Sequence, residues 1–235
     1  PIKSSAASDV YKRQEVEATG KFVKALHNRK IEVYALLGAV EWGYEEDGAT
    51  LLAHLEKIVQ YNVQSSEKEK FDGVMLDIEP YISDSWKENP EEYMDRYISC
   101  MKKGYKFAQK NHLRTAICIP RHYDNQGLTS GLEELIKETC DEVAVMNYSC
   151  GNEIEAIRTE AALSEKYGKE LHCILEFQEV GKHGLTENKT YRNKGIDNAK
   201  ETWEKLQKEY KNINVTRDYH WSRPVREMLE EKNAD

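Results

Sequence analysis

The strongest constraint in this sequence is a regular alternation of apolar strand-like segments with stretches of helical spacing. The apolar segments lie at residues 31–37, 73–78, 115–119, 142–148, 171–177 and 214–221. Strands of this kind, separated by amphipathic helices, predict a parallel sheet covered by helices. The sequence contains neither G-x-G-x-x-G nor a Walker loop, so nothing favours a nucleotide-binding sheet. The repeated units instead predict an α/β fold of the (β/α)8 TIM barrel type, with about six units present and the first two strands missing.

The first residues require a separate interpretation. Residues 5–14 (SAASDVYKRQ) resemble the translated sequencing-adapter scar found in metagenomic gene predictions. We therefore expect residues 1–14 to be non-native or disordered, and residues 15–235 to form a single barrel domain of catalytic type. On this interpretation the chain is an N-terminally truncated metagenomic fragment. Localisation stays open, with a secreted or cell-surface bacterial protein among the alternatives.

Composition excludes several classes of function. The 235 residues include 34 Lys and Arg against 42 Asp and Glu, a net charge of −8 without any basic block, which argues against nucleic acid as a partner. No apolar run reaches the roughly 18–20 residues that would span a membrane. Five cysteines without a C-x-x-C pair and seven histidines without an H-x-x-x-H pair give no metal site. We expect a monomer with no cofactor.

The segment at residues 71–81, FDGVMLDIEPY, is the most informative. Because side chains alternate between the faces of a strand, Asp77 and Glu79 share one face. The other face consists of the apolar residues Val74, Leu76 and Ile78. Two acids that end a buried strand favour a functional site, since an unpaired buried charge is costly. The structural alternative is a salt bridge or a loop anchor.

This segment resembles the signature strand of glycoside hydrolase family 18, the chitinases and endo-β-N-acetylglucosaminidases. The family pattern is D-G-x-D-x-D-x-E. It is matched by Asp72, Gly73, Asp77 and Glu79, while Met75 replaces the middle acid.

Two later segments resemble further landmarks of the same family. Residues 146–149, Met-Asn-Tyr-Ser, resemble M-x-Y-D with Ser149 in place of the final acid, and Trp221 takes the place of the tryptophan that ends the last strand. The resemblance covers residues 31–226. It too implies a TIM barrel whose first two strands are missing.

The resemblance implies a hydrolase of N-acetylglucosamine-containing glycans with a substrate-assisted, retaining mechanism. Glu79 would be the general acid, Asp77 would orient the acetamido group, and Tyr148 would hydrogen-bond its carbonyl oxygen. Trp221 would form the floor under the sugar, with Met146 and Asp72 also on the substrate-binding side. The implied partner is a carbohydrate.

Other residues leave alternatives open. Glu176 and Gln178 end a later strand, so Glu79 and Glu176 also resemble the acid/base and nucleophile of retaining barrel glycosidases, although Ile78 stands where those enzymes have Asn. Trp42 could stack on a sugar or pack in a loop, and Arg121 could line a sugar subsite or an ordinary polar loop. A catalytically silent carbohydrate-binding barrel is the third alternative.

Overall fold

The computed structural model describes residues 5–232, with side chains described for residues 15–231. The strands are β1 (Tyr34–Leu37), β2 (Gly73–Leu76), β3 (Arg114–Pro120), β4 (Glu142–Met146), β5 (Glu170–Glu176) and β6 (Val215–His220). The helices are α1 (Ser5–His27), α2 (Ala49–Gln64), α3 (Asp84–Glu88), α4 (Pro90–Lys110), α5 (Thr129–Glu138), α6 (Glu153–Ala156), α7 (Arg158–Tyr167), α8 (Gly195–Glu209) and α9 (Ser222–Lys232).

The strands form one parallel sheet in the order of the sequence, from β1 to β6. The sheet curls into a half-barrel, so the prediction of six parallel strands is confirmed. Over residues 5–232 it does not close, because β1 and β6 each pair on one side only. The prediction for residues 1–14 falls partly outside the described residues and stays a prediction. No helix of the described chain is long and apolar enough to span a membrane.

The convex face of the sheet carries the main core. On β2 and just after it, Val74, Leu76 and Ile78 are at most 1% exposed and belong to the same apolar cluster as residues of α2 and α4, such as Leu55 and Met101. Burial of each such side chain contributes about 1.5–3 kcal/mol, which makes the orientation of β2 costly to reverse. The other face of β2 must then point into the half-barrel.

Residues 153–167 differ from the single helix that their spacing predicts. They form α6 and α7, with Ile157 between them in a non-helical conformation. The carbonyl oxygens of the first turn have other partners: the Asn147 side-chain amide donates to the Glu153 oxygen at 2.9 Å, and the Tyr210 hydroxyl donates to the Ile154 oxygen at 2.6 Å. The helix breaks because these tertiary hydrogen bonds replace helical ones.

A close backbone contact fixes the carboxyl end of β2 against β1. The Asp77 N–H donates to the Leu37 carbonyl oxygen at 2.8 Å. A Cβ atom on the next residue, Gly38, would lie 1.8 Å from the carbonyl oxygen of Asp77. Only glycine allows this approach, and the approach determines where the Asp77 side chain begins.

We therefore predict that Gly38→Ala lowers the free energy of unfolding by about 2 kcal/mol, in the range of overpacking substitutions, because the two backbones must separate. Denaturant titration monitored by tryptophan fluorescence measures this. The matched control is Gly20→Ala in α1, where the new Cβ would meet its nearest atom at 3.5 Å. Equal stability of the two variants would contradict the prediction.

Candidate active site

An open cavity occupies the concave face of the half-barrel, with a volume of about 1740 Å³. Its wall has three layers, because every second residue of each strand faces inward. The middle layer is apolar and consists of Met75, Cys118, Ala144, Met146 and Ile174, with Tyr148 packed above it. Polar layers lie on both sides of it. The layer at the carboxyl ends of the strands contains most of the predicted site residues.

Asp77 and Glu79, called the acid pair below, both line this cavity, as the alternation along β2 predicts. Glu79 accepts a hydrogen bond from the hydroxyl of Tyr81. Burial and the neighbouring Glu79 charge raise the pKa of Asp77, although His220 acts in the opposite direction. One carboxylate oxygen of Asp77, Oδ1, is buried without a hydrogen-bond partner among the described residues. Such carboxylates are typical of functional sites.

Glu176 holds His220 at the same level of the cavity. The Glu176 carboxylate, 2% exposed, accepts from the backbone N–H groups of Phe177 and Gln178 at 2.8 and 2.7 Å. It is also bonded to the Gln178 side-chain amide at 3.1 Å and to Nδ1 of His220 at 2.8 Å. Burial opposes ionisation of Glu176, but these hydrogen bonds outweigh it and lower its pKa. The His220 ring is stacked on Tyr148, with centroids 5.9 Å apart.

The cavity brings together most of the residues that the sequence singles out. Besides the acid pair, its lining includes Met146, Tyr148, Glu176, Gln178, Arg121 and Trp221. Trp221 is 46% exposed at the end of β6 and follows His220 across a cis peptide bond. These positions are as expected for one site, and the roles of the residues stay predictions.

Asp72 and Trp42 lie outside the cavity lining. Asp72 precedes β2, at the opposite end from Glu79, where its Oδ2 accepts from the Val33 N–H at 2.7 Å and contacts Nε2 of His27 at 2.8 Å. It anchors the connection between α1 and β1. The Trp42 ring packs on His54 of α2, with centroids 4.5 Å apart, and belongs to the convex core. Asp72 is therefore a loop anchor and Trp42 a packing residue, and neither lines the predicted substrate site.

Sequence reasoning did not single out Tyr81 and gave His220 no specific role. Tyr81 lies in a short 3₁₀ helix, Pro80–Ile82, directly after Glu79, so the alternation of a strand does not predict its position. It also contacts His122 edge-on, with centroids 5.2 Å apart. The partner of His220 lies 44 residues away, so no local pattern reveals it.

The second polar layer lies at the amino ends of the strands and is called the floor network. Glu142 is at its centre, bonded to the hydroxyl of Tyr34 at 2.5 Å, to Nε of Arg114 at 2.6 Å and to Nε2 of His172 at 2.9 Å. Nδ1 of His172 contacts Asp218 at 3.1 Å. The network joins β1, β3, β4, β5 and β6, so it links nearly every strand through side chains.

The residues of the floor network shift one another's pKa values. Burial opposes ionisation of Glu142, yet hydrogen bonds from His172 and Tyr34 and the charge of Arg114 lower its pKa to about 2. Burial also opposes protonation of His172, but hydrogen bonds to Asp218 and Glu142 raise its pKa to about 10. Across the described residues, no group of three or more His, Cys, Asp and Glu side chains is arranged to hold a metal ion.

Comparisons with known proteins assign no family. No family model and no curated protein matches the sequence. Among solved structures, the second catalytic domain of a group II chitinase from Ostrinia furnacalis is similar at 15% identity and a TM-score of 0.41, over 66% of this chain and 48% of that chain. A mutant of that domain in complex with penta-N-acetylchitooctaose gives 15% identity and a TM-score of 0.42 over the same shares. The match thus spans about half of the chitinase domain, and likeness at this level establishes neither family nor function.

The floor network predicts a loss of stability at alkaline pH. Because the folded pKa of His172 is raised from 6.5 to about 10, its contribution is complete below pH 6.5 and is lost as the pH rises towards 10. We expect the free energy of unfolding to fall over this range in denaturant titrations. His172→Gln should flatten the decline, whereas His112→Asn at an exposed position should not. An unchanged slope in His172→Gln would contradict this assignment.

Proposed function

We propose that this protein is a glycosidase of N-acetylglucosamine-containing glycans, with Glu79 as the general acid. The observation that carries the proposal is the acid pair at the carboxyl end of β2, with both side chains lining one large cavity. In a barrel-like sheet, catalytic residues characteristically lie at this end of the strands. The charge of the pair is not cancelled by an arginine or lysine salt bridge within the described residues.

The shape and lining of the cavity support a carbohydrate substrate. The open cavity of about 1740 Å³, on the concave side of the unclosed sheet, has room for an oligosaccharide. Tyr148 and Trp221 contribute aromatic rings, which can pack against the apolar faces of sugars. The large exposed fraction of Trp221 leaves its ring accessible to a substrate.

In the proposed reaction, Glu79 donates its proton to the glycosidic oxygen as the bond between that oxygen and C1 breaks. The carbonyl oxygen of the substrate's 2-acetamido group attacks C1 from the opposite side and forms an oxazolinium ion. Glu79 then removes a proton from water, which attacks C1 and reopens the ring. Two inversions at C1 give retention of configuration.

Asp77 and Tyr148 have distinct roles in this mechanism. Asp77 accepts the N–H of the acetamido group and stabilises the positive charge that develops on it. Tyr148 donates to the carbonyl oxygen, which a protonated hydroxyl can do, and burial raises its pKa well above the ordinary value. Tyr81 is a positioning residue, since its hydroxyl holds the carboxyl group of Glu79.

The alternative mechanism with Glu176 as nucleophile is less favoured. A carboxylate has about four lone-pair sites, and Glu176 has four hydrogen-bond contacts, with both oxygens engaged. A nucleophile requires an accessible oxygen, and Glu176 is only 2% exposed. These contacts support a role in holding His220 rather than in attacking C1. The catalytically silent alternative is decided by the first experiment below.

We predict that Glu79→Gln lowers turnover of a chromogenic N-acetylglucosaminide or N-acetylchitooligosaccharide at least about 100-fold, because the leaving oxygen loses its proton donor. Binding of the uncleaved oligosaccharide, measured by calorimetry, should be retained. Glu32→Gln is the matched control, since Glu32 lines the same cavity at the exposed edge near β1.

Two results would contradict this prediction. Binding of the oligosaccharide without any turnover by the unsubstituted protein would identify a silent carbohydrate-binding barrel. Equal turnover by the Glu79→Gln and Glu32→Gln variants would remove Glu79 from the reaction.

A second prediction separates the two enzymatic mechanisms. If the acetamido carbonyl is the nucleophile, the corresponding chromogenic glucoside, which lacks this group, should not be cleaved. Nucleophilic attack by Glu176 would allow cleavage of both substrates, and Glu176→Ala would then be rescued by azide with formation of a glycosyl azide. Parallel assays on the two aryl glycosides measure the difference.

A further inference from the structure

We propose that His220, anchored by Glu176, supplies the positive charge that keeps Asp77 ionised while Glu79 carries the proton. As a role in catalysis, this inference rests on the proposed glycosidase activity. As an electrostatic coupling within the cavity, it is independent of that activity. His220 is thus a positioning residue that acts through Asp77 rather than on the substrate bond.

The first observation is that the geometry fixes the imidazole of His220. Its Nδ1 lies 2.8 Å from Oε2 of Glu176, and its ring stacks on Tyr148 at an interplanar angle of 30°. Because the buried carboxylate of Glu176 only accepts hydrogen bonds, Nδ1 must carry the proton. The other nitrogen, Nε2, makes no hydrogen bond within the described residues, so it is available to the cavity.

The second observation is that the acid pair requires a counter-charge. The two acids are only two residues apart, and burial and Glu79 both raise the pKa of Asp77. No lysine or arginine forms a salt bridge with either acid in the described residues, and Met75, two positions before Asp77, carries no charge. Without a positive group nearby, burial and the Glu79 charge would both favour the neutral form of Asp77.

The groups around His220 are consistent with a protonated ring. Glu176 faces it from β5, Tyr148 from just after β4, and the acid pair from just after β2. The hydrogen bond to Glu176, together with the charges of Glu176, Asp77 and Glu79, raises the pKa of His220 against the effect of burial. Reciprocally, His220 lowers that of Asp77. Three acids therefore share this one imidazolium.

The coupling also explains why Glu176 is so fully hydrogen-bonded. A carboxylate that is bonded to two backbone N–H groups and a side-chain amide cannot swing away from the histidine. The pair is therefore preorganised, and the imidazolium keeps its place when substrate enters or leaves. A flexible lysine at the same position would require ordering on binding.

The test is a titration by nuclear magnetic resonance of the 235-residue chain without ligand. The ring carbons of His220 and the carboxyl carbon of Asp77 are followed from pH 3 to pH 9. We expect His220 to titrate above 6.5 and Asp77 to show a second, smaller inflection at the pH at which His220 loses its proton. Absence of that inflection at Asp77, in a protein whose His220 does titrate, would overturn the proposal, and this measurement needs no variant.

Variants give an independent measurement. Glu176→Gln should lower the titration midpoint of His220 by about one unit or more, as loss of an adjacent charge does. His220→Gln should raise that of Asp77. The matched control is His183→Gln, since His183 also lines the cavity and has no ion pair with a described residue. Unshifted midpoints in folded Glu176→Gln and His220→Gln proteins would overturn the proposal.

Activity then separates this inference from the proposed function. In an active enzyme, His220→Gln should move the acidic limb of kcat/KM against pH upward, because Asp77 would need a higher pH to ionise, while His183→Gln should leave it in place. If His220→Gln shifts the titration midpoint of Asp77 but leaves the acidic limb of kcat/KM in place, the catalytic role of His220 is overturned. If the unsubstituted protein hydrolyses no N-acetylglucosaminide, the proposed function fails, and the titrations alone decide whether His220 supplies the charge.

Discussion

Burial of Val74, Leu76 and Ile78 on the convex side of the sheet is the constraint on which the site depends. These side chains lie on β2 and just after it, and a slip of one residue would expose all three to the cavity while burying two acids among the helices. The burial of apolar side chains thus determines where the two acids lie. It forces Asp77 and Glu79 to share the concave face, and Gly38 allows the backbone to hold them at the end of β1.

The two polar layers of the concave face differ in how their charges are balanced. In the floor network, Arg114 and His172 are matched against Glu142 and Asp218 by direct contacts, so the layer is internally compensated. At the other end, His220 forms an ion pair with Glu176, and no lysine or arginine forms a salt bridge with Glu176 or the acid pair among the described residues. A compensated layer needs no further partner, whereas acids without a compensating cation are typical of functional sites. The apolar layer separates the floor network from the acid pair and Glu176.

The sequence predicts what depends on short-range pattern and misses what depends on distant partners. The six strands follow from apolar runs within single segments, and the inward direction of Asp77 and Glu79 follows from alternation along one of them. The break at Ile157 does not, because its cause is a pair of hydrogen bonds from Asn147 and Tyr210. Trp42 illustrates the same limit. Its position after β1 fits a sugar-binding rim, but contact with His54 of α2 turns its ring towards the convex core.

Glu176 shows how a single contact set can change the interpretation of a residue. Its place at the end of β5 is compatible with a nucleophile, a substrate ligand or a structural anchor, and residue type alone does not separate them. Four hydrogen-bond contacts and near-complete burial favour the anchor, since they leave no oxygen for a sugar carbon. An anchored carboxylate in turn fixes the ring of the neighbouring His220 and raises its pKa. The acid that the sequence offers as an alternative nucleophile is therefore, in the structure, the residue that holds His220.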